Sequence, residues 1–396
     1  VVRKIGVGGF ETTDRMRELV GQVLDTGRLS YGPLSQKFET YFARLHQCNY
    51  AVLSNSGTSS LQVALQALKE MRGWADGDEV LVPAVTFVAT VNIILHNNMV
   101  PVLVDVDPVY YGMDPALIED AITDKTRAII PVHLFGQPCD LPNITRLAGI
   151  HGLKVIEDSC ECMFSHIEDR SVGAWGDIGC FSTYVAHLIT SGVGGLGTTR
   201  DPDIEMKMRS LVNHGRHFSY MSIDDDDNLD EFDLGQMLVN RFNFVSVGHS
   251  FRVTEFESAI ALAQLETWKE NIGARVVNGH YLTVNLEKLS QIQTPTIRPN
   301  GFHSFMMYPV LVRDNRDKWP LCFFLESRGI ETREMMRIVD QPAYAKFDLW
   351  DPADFPVAQM IDRSGFYVGC HDGLTSEDMD YILQSFYDYF SKGQRE

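Results

Sequence analysis

Phe181-Ser182-Thr183-Tyr184-Val185-Ala186-His187-Leu188-Ile189-Thr190-Ser191-Gly192-Val193-Gly194-Gly195 is the stretch on which the reading of this chain turns. It leaves a strand-like run, carries one histidine and ends among glycines. No lysine occurs from Ser182 to Arg200. An imidazole moves protons near neutral pH. A lone histidine is more often structural than catalytic, so its neighbours decide the reading.

Working outward, the first two thirds of the chain alternate between helix-like and strand-like runs. Residues 57–71 place Leu61, Ala64, Leu65 and Leu68 at helical spacing. A short apolar run at 80–82, a helix at 87–96 and a buried strand at 100–106 follow. Then come a helix at 115–122, a strand at 128–134, a helix at 141–151 and a strand at Val155 and Ile156. Such alternation predicts an α/β fold with a mostly parallel central sheet and helices on both faces. Ligand sites in such sheets lie at the carboxyl ends of strands. The segments around Ser56, Asp158 and His187 each fall there. Residues 254–286 read as one long helix joining a large domain, 1–255, to a smaller α+β C-terminal domain, 256–396. A strand region at 305–312 and a closing helix at 376–390 belong to the latter.

Composition narrows the function classes. The chain has 396 residues, 44% of them hydrophobic, enough for a large core and a smaller one. A net charge of −19 disfavours nucleic acid or an anionic membrane as a bulk partner. Seven scattered cysteines read as thiols of a reducing cytoplasm rather than a disulfide framework. The longest apolar stretch, 87–106, is broken by Asn92, His96, Asn97, Asn98 and Asp105, which is unlike a bilayer span. The acidic run at 224–227, continued by Asp230, Glu231 and Asp233, reads as a solvated loop. It lacks the glycine and glutamate spacing of a calcium loop, so no metal site is expected.

Asn55-Ser56-Gly57-Thr58-Ser59-Ser60 opens a helix. Small residues there let backbone N–H groups approach an anion, although a plain helix cap gives the same string. Ile156-Glu157-Asp158-Ser159-Cys160-Glu161 ends a strand on carboxylates. A helix cap is the structural alternative for Asp158, and on spacing alone Phe87, within Thr86-Phe87-Val88-Ala89-Thr90, reads as core.

The quoted segment resembles the cofactor-lysine strand of the pyridoxal-phosphate sugar aminotransferases, the DegT/StrS family of fold type I enzymes. Those read roughly F-S-x-x-x-x-K-x-x-x-x-G-x-G-G, so His187 stands in the lysine register. The resemblance extends from Gly32-Pro33 to Leu374-Thr375-Ser376-Glu377-Asp378. It implies pyridoxal or pyridoxamine 5′-phosphate as cofactor. Ser56, Gly57, Thr58 and Ser182 would lie at its phosphate, Phe87 on its ring, Asp158 at its ring nitrogen and Glu161 near its ring hydroxyl. Gly248-His249-Ser250-Phe251-Arg252-Val253-Thr254-Glu255 resembles the family's G-Y-N-Y-R-M-T-E, with Ser250 where an asparagine reaches the neighbouring subunit's phosphate.

One branch of that family naturally has histidine for lysine, reading P-A-H-H-I-T-x-G-E-G-G. These are sugar 3-dehydratases, and Val185 to Thr190 is close to their strand. Gly329-Ile330-Glu331-Thr332-Arg333 and Gly365-Phe366-Tyr367-Val368-Gly369 resemble the same branch. His133-Leu134-Phe135-Gly136-Gln137-Pro138 looks more like an aminotransferase. Cys160 matches the first ligand of the branch's iron–sulfur type, but no further cysteines follow at the required places. The chain is therefore most similar to the cluster-free, GDP-4-keto-6-deoxymannose 3-dehydratase type. The resemblance implies removal of the C3 hydroxyl from a nucleotide-linked 4-keto-6-deoxyhexose, with glutamate as amino donor and His187 and Asp158 catalytic. Tyr31, Arg252 and Arg333 would bind substrate in a cytoplasmic homodimer with shared active sites. The alternatives are a nucleotide-sugar aminotransferase with a substituted lysine position, and a non-catalytic binder of pyridoxamine phosphate or a nucleotide sugar.

Overall fold

The computed structural model describes residues 3–217 and 230–392. Its centre is a seven-stranded sheet. In spatial order the strands are Tyr50–Ser54, Gly195–Thr199, Ile178–Ser182, Lys154–Asp158, Thr126–Ile129, Glu79–Pro83 and Val100–Val104. Gly195–Thr199 runs antiparallel to both neighbours, and the other paired strands run parallel. Successive strand residues go to opposite faces. Leu81, Ile129 and Val155 enter one core with Ile118, Ile144 and Leu147. Val80, Val82, Ala128, Ile130 and Ile156 enter the larger core on the other face. Both faces are covered, which is why these strands are apolar without alternation.

Helix ends are set by local chemistry. The helix Gly57–Arg72 starts where the Ser56 hydroxyl accepts the Ser59 N–H at 3.0 Å, and it ends at Gly73 with φ +66°. The buried carboxylate of Glu255 accepts the N–H groups of Gly32, Leu34 and Ser35 at 2.8–2.9 Å. It thereby satisfies the N-terminus of Pro33–Leu45 from 220 residues away in sequence.

A second core, including Leu282, Leu286, Tyr308, Val310, Leu321, Phe366 and Phe386, lies under a four-stranded antiparallel sheet. That sheet contains Tyr308–Val312, Gly365–Val368 and Thr332–Glu334, with Ser376–Lys392 closing the chain. Ile5 joins this core from the N-terminus.

Three sequence expectations are corrected. The strand expected at 128–134 is Thr126–Ile129, because Pro131 has no N–H for the ladder and Leu134–Gly136 turns with Phe135 at φ +61°. The helix expected at 254–286 is two, Glu255–Leu265 and Trp268–Leu286, broken at Glu266 and Thr267. The first lies in the larger core, and the second reaches the smaller one. The helix expected at 115–122 is a 3-10 turn, Pro115–Leu117, followed by Ile118–Ala121. The acidic run at 224–227 lies outside the described residues, while Asp230 caps Glu231–Asn240.

Gly195 fixes how the sheet meets the Gly57 helix. A Cβ there would fall 2.4 Å from the Ser56 carbonyl carbon and 2.6 Å from the Gly57 nitrogen. Backbone cannot give way as a side chain can. Gly195→Ala should therefore cost about 1–3 kcal/mol in urea unfolding. Gly149→Ala, in Leu141–His151 with open space around it, should be neutral or stabilising by about 0.5–1 kcal/mol.

Candidate active site

The carboxyl ends of five strands open into one cavity of about 720 Å³. That is room for a cofactor and part of a substrate. From the seven-stranded sheet and the segments that follow its strands come Ser56, Gly57, Thr58, Phe87, Asp158, Glu161, Ser182 and His187. Arg333 and Tyr367 face it from the four-stranded sheet.

At one side the Gly57–Arg72 helix presents its N-terminus, beside the Ser182 side chain. A Cβ on Gly57 would lie 2.7 Å from the Ser182 Cβ, so the two surfaces are in contact. The Ser56 hydroxyl is engaged as the cap, whereas Gly57 and Thr58 bring first-turn backbone to the cavity. This seat suits an anion such as a phosphate.

Asp158 ends its strand, buried. Its Oδ2 accepts the Thr90 hydroxyl at 2.8 Å, and its Oδ1 accepts the Cys160 N–H at 3.2 Å. Thr90 spends its hydrogen on Asp158, so Thr86 donates in the 2.7 Å Thr86–Thr90 pair. Burial pushes the Asp158 carboxyl up, and Thr90 and Cys160 only partly offset it. No cationic side chain lies within ion-pair distance of Asp158 among the described residues. A buried carboxylate on the cavity wall, with no cation within ion-pair distance among the described residues, suits a protonated ring nitrogen. Anion seat and carboxylate together fit pyridoxal phosphate.

His187 is half-buried on the cavity wall. Its Nδ1 lies 3.2 Å from the Ser182 carbonyl oxygen, which can only accept, so Nδ1 carries the hydrogen and Nε2 is left as the base. Desolvation, with Arg275 adding to it, lowers its pKa to about 4. The imidazole rests neutral at physiological pH. The loop around it is tied by Thr183 N–H to Gly194 O at 2.9 Å and Ser191 N–H to Thr183 O at 2.8 Å.

Three expected site residues lie elsewhere in this chain. The Tyr31 hydroxyl donates to Glu39 at 2.6 Å and accepts from Arg209 at 3.1 Å, outside the cavity. Arg252 is exposed and donates to Asn213 at 2.9 Å and to Ser250 at 2.8 Å. Neither Arg252 nor Ser250 lines the cavity. Sequence reading missed Thr90, one helical turn from Thr86, and Glu331, whose Oε2 accepts the Val7 N–H at 2.9 Å and whose Oε1 pairs with Arg333. It also missed Val7, Gly8, Gly9 and Phe10, which wall the cavity. The cluster Gly6-Val7-Gly8-Gly9 was their only signal. Cys160 lines the cavity and Cys162 and Cys180 are buried, all as free thiols. Among the described residues no group of three or more His, Cys, Asp or Glu is arranged to hold a metal. No helix there is long and apolar enough to cross a membrane.

Glu161 accepts the Phe135 N–H at 2.9 Å, and its pKa is raised to about 7, first by desolvation and then by Asp158. A carboxyl raised in the folded state stabilises fully below its unfolded pKa, and that contribution is lost as pH rises through the folded value. His187 has the opposite sign, so whole-protein pH curves mix the two. The difference isolates Glu161: Glu161→Gln should gain melting temperature over the cofactor-free wild type as pH rises from about 4.5 to about 7. A constant difference across that window would contradict the assignment.

The geometry can be set beside known proteins. The family model described as the DegT/DnrJ/EryC1/StrS aminotransferase family matches residues 11–387. A GDP-perosamine synthase of Caulobacter vibrioides is 33% identical over 96% of each chain. A dTDP-4-dehydro-2,6-dideoxy-D-glucose 3-dehydratase of Saccharopolyspora spinosa is 31% identical, covering 92% of this chain and 82% of that protein. The structure of E. coli GDP-4-keto-6-deoxy-D-mannose-3-dehydratase with bound hydrated PLP superposes with a TM-score of 0.87. It covers 97% of this chain and 100% of that one at 24% identity, which speaks to the fold. The chain belongs to the DegT/DnrJ/EryC1/StrS aminotransferase family, with the fold type I architecture and pyridoxal phosphate as its cofactor.

Proposed function

We propose that this protein is a pyridoxamine-phosphate-dependent lyase that removes the C3 hydroxyl from a nucleotide-linked 4-keto-6-deoxyhexose. One observation carries the reading: a cavity with the open Nε2 of His187 on its wall and no lysine among the described residues that line it. Without a side-chain amine, no group on the cavity wall would tether the cofactor covalently, and the imidazole is left to move protons. The 3-dehydratase name of the Saccharopolyspora relative supports the same reading.

The overall change balances as 4-keto-6-deoxyhexose plus glutamate giving 4-keto-3,6-dideoxyhexose, 2-oxoglutarate and ammonia. The sugar is reduced at C3, and glutamate is oxidised. Bound cofactor supplies an amine for the C4 ketone and a ring that accepts electrons. Asp158 holds the proton on the ring nitrogen. Gly57, Thr58 and Ser182 seat the phosphate, and Phe87 covers the ring. His187 takes up a proton at Nε2 and hands it to the C3 oxygen, which leaves as water. Arg333 binds a carboxylate or phosphate of the substrate.

We also propose a cytoplasmic homodimer. Val239, Phe242 and Val247 are 75–88% exposed, an apolar run that favours burial against a second copy. Ser250 and Arg252, exposed nearby, would then serve the partner's cavity. A second reading, formation of an amino sugar, is favoured by the GDP-perosamine synthase name of the Caulobacter relative.

Ammonia release separates the two. With glutamate and a nucleotide-linked 4-keto-6-deoxyhexose the wild type should release ammonia, and His187→Asn should slow that release about 10²–10⁴-fold. His187→Lys should lose dehydration and leave nitrogen in the sugar. Unchanged ammonia release by His187→Asn would contradict the role of the imidazole.

A further inference from the structure

The backbone of Asp158 is fixed on both sides. Its N–H donates to Pro131 O at 2.9 Å, and its carbonyl accepts the His133 N–H at 3.0 Å. Its carboxylate is held by the Cys160 N–H on Oδ1 and the Thr90 hydroxyl on Oδ2. The first donor follows two residues on in the chain. The second belongs to another element. Thr90 lies in the first turn of Val88–His96, fully buried, and does not line the cavity. A threonine in a helix can give its hydrogen to a carbonyl three or four residues back. Thr90 gives it instead to Asp158, 68 residues away in sequence, at 2.8 Å.

The Thr90 hydroxyl is itself aimed. The Thr86 Oγ1 lies 2.7 Å from it and 3.4 Å from the Phe87 carbonyl oxygen, which is too long to compete. The Thr86 backbone is pinned in turn, its N–H donating to Met336 O at 3.1 Å. Two buried hydroxyls thus run in series from the segment after Thr332–Glu334 to the carboxylate. A hydrogen bond donated to a carboxylate favours its charged form, whereas burial favours the neutral one.

We propose that Thr90 is a positioning residue, aimed by Thr86, that holds Asp158 Oδ2 and keeps the carboxylate ionised for the cofactor's ring nitrogen. This rests on the placing of Asp158 at that nitrogen. Thr90 acts through Asp158 and not on the ligand.

The test is the pH dependence of pyridoxamine phosphate binding to the cofactor-free protein, by calorimetry. Affinity should fall on the acid side as Asp158 takes up a proton. A carboxylate that has lost a donor protonates at higher pH. Thr90→Val, close in shape but without the hydroxyl, should therefore move that fall to higher pH by about one to two pH units. Thr90→Ser keeps the donor and should leave the fall in place. Thr90→Cys, a weak donor, should move it part of the way, and carries the test if the valine variant does not fold. The other titrating groups around Asp158 are Glu161, the thiols of Cys160 and Cys180, and His133 with its partner Glu157. His187 is also on the cavity wall. These groups and the ligand are the same in every Thr90 variant, so the difference reads Asp158.

Asp158→Asn sorts the outcomes, because it should weaken binding most at neutral pH and flatten the acid fall. A fall left intact by Asp158→Asn would overturn both the placing of Asp158 and the role of Thr90. A flattened fall there would leave Asp158 in place. Thr90 alone would then be overturned by a valine variant that binds more weakly by the same factor at every pH, or that binds as the wild type does. A serine variant that shifts as far as the valine variant would overturn it as well.

Discussion

The approach of the Gly195 backbone to the Ser56–Gly57 turn is the constraint on which the site rests. It brings the antiparallel strand Gly195–Thr199 against the start of a buried helix, with no side chain between them. The Ser182 side chain is then held against Gly57, and the loop 183–194 must close over a fixed span. Within that loop the Ser182 carbonyl takes the Nδ1 hydrogen of His187 and leaves Nε2 toward the cavity. Anion seat and base are thus two consequences of one backbone contact.

The electrostatics follow from the dryness of the same space. Desolvation pushes Asp158 and Glu161 up and His187 down, so burial weights each of these three groups toward its neutral form without ligand. Asp158 lacks a cation that a ring nitrogen would supply. His187 lacks a proton that a reaction would deliver. Glu161, next in line, sits where small changes in the cavity move it across neutrality. Such groups, poised by burial rather than by ion pairs, suit chemistry in which charge arrives with the ligand.

Much of this was legible in the sequence. The segments around Ser56, Asp158 and His187 were placed at strand ends by local apolar runs, Ser182 by family resemblance, and all four line one cavity. Less was legible where distant segments meet. Residues 5–10 depend on contacts with residues 329–331 and 371, which no local periodicity encodes. Pro131 shortened a strand that apolar content extended. Burial on both sides hid the break at Glu266 and Thr267. Tyr31 looked available, but its hydroxyl ties the Pro33–Leu45 helix to Arg209 through Glu39. Ser250 and Arg252 matched a motif, yet neither lines the cavity of its own chain.

The most direct test of the account is the mass of the sugar product. The wild type would be incubated with pyridoxal phosphate, glutamate and a panel of nucleotide-linked 4-keto-6-deoxyhexoses. A product lighter by one oxygen, formed with ammonia, is the result predicted from a cavity that has a histidine and no lysine. A product in which the ketone has become an amine would mean transamination without a lysine, and would contradict the role given to His187.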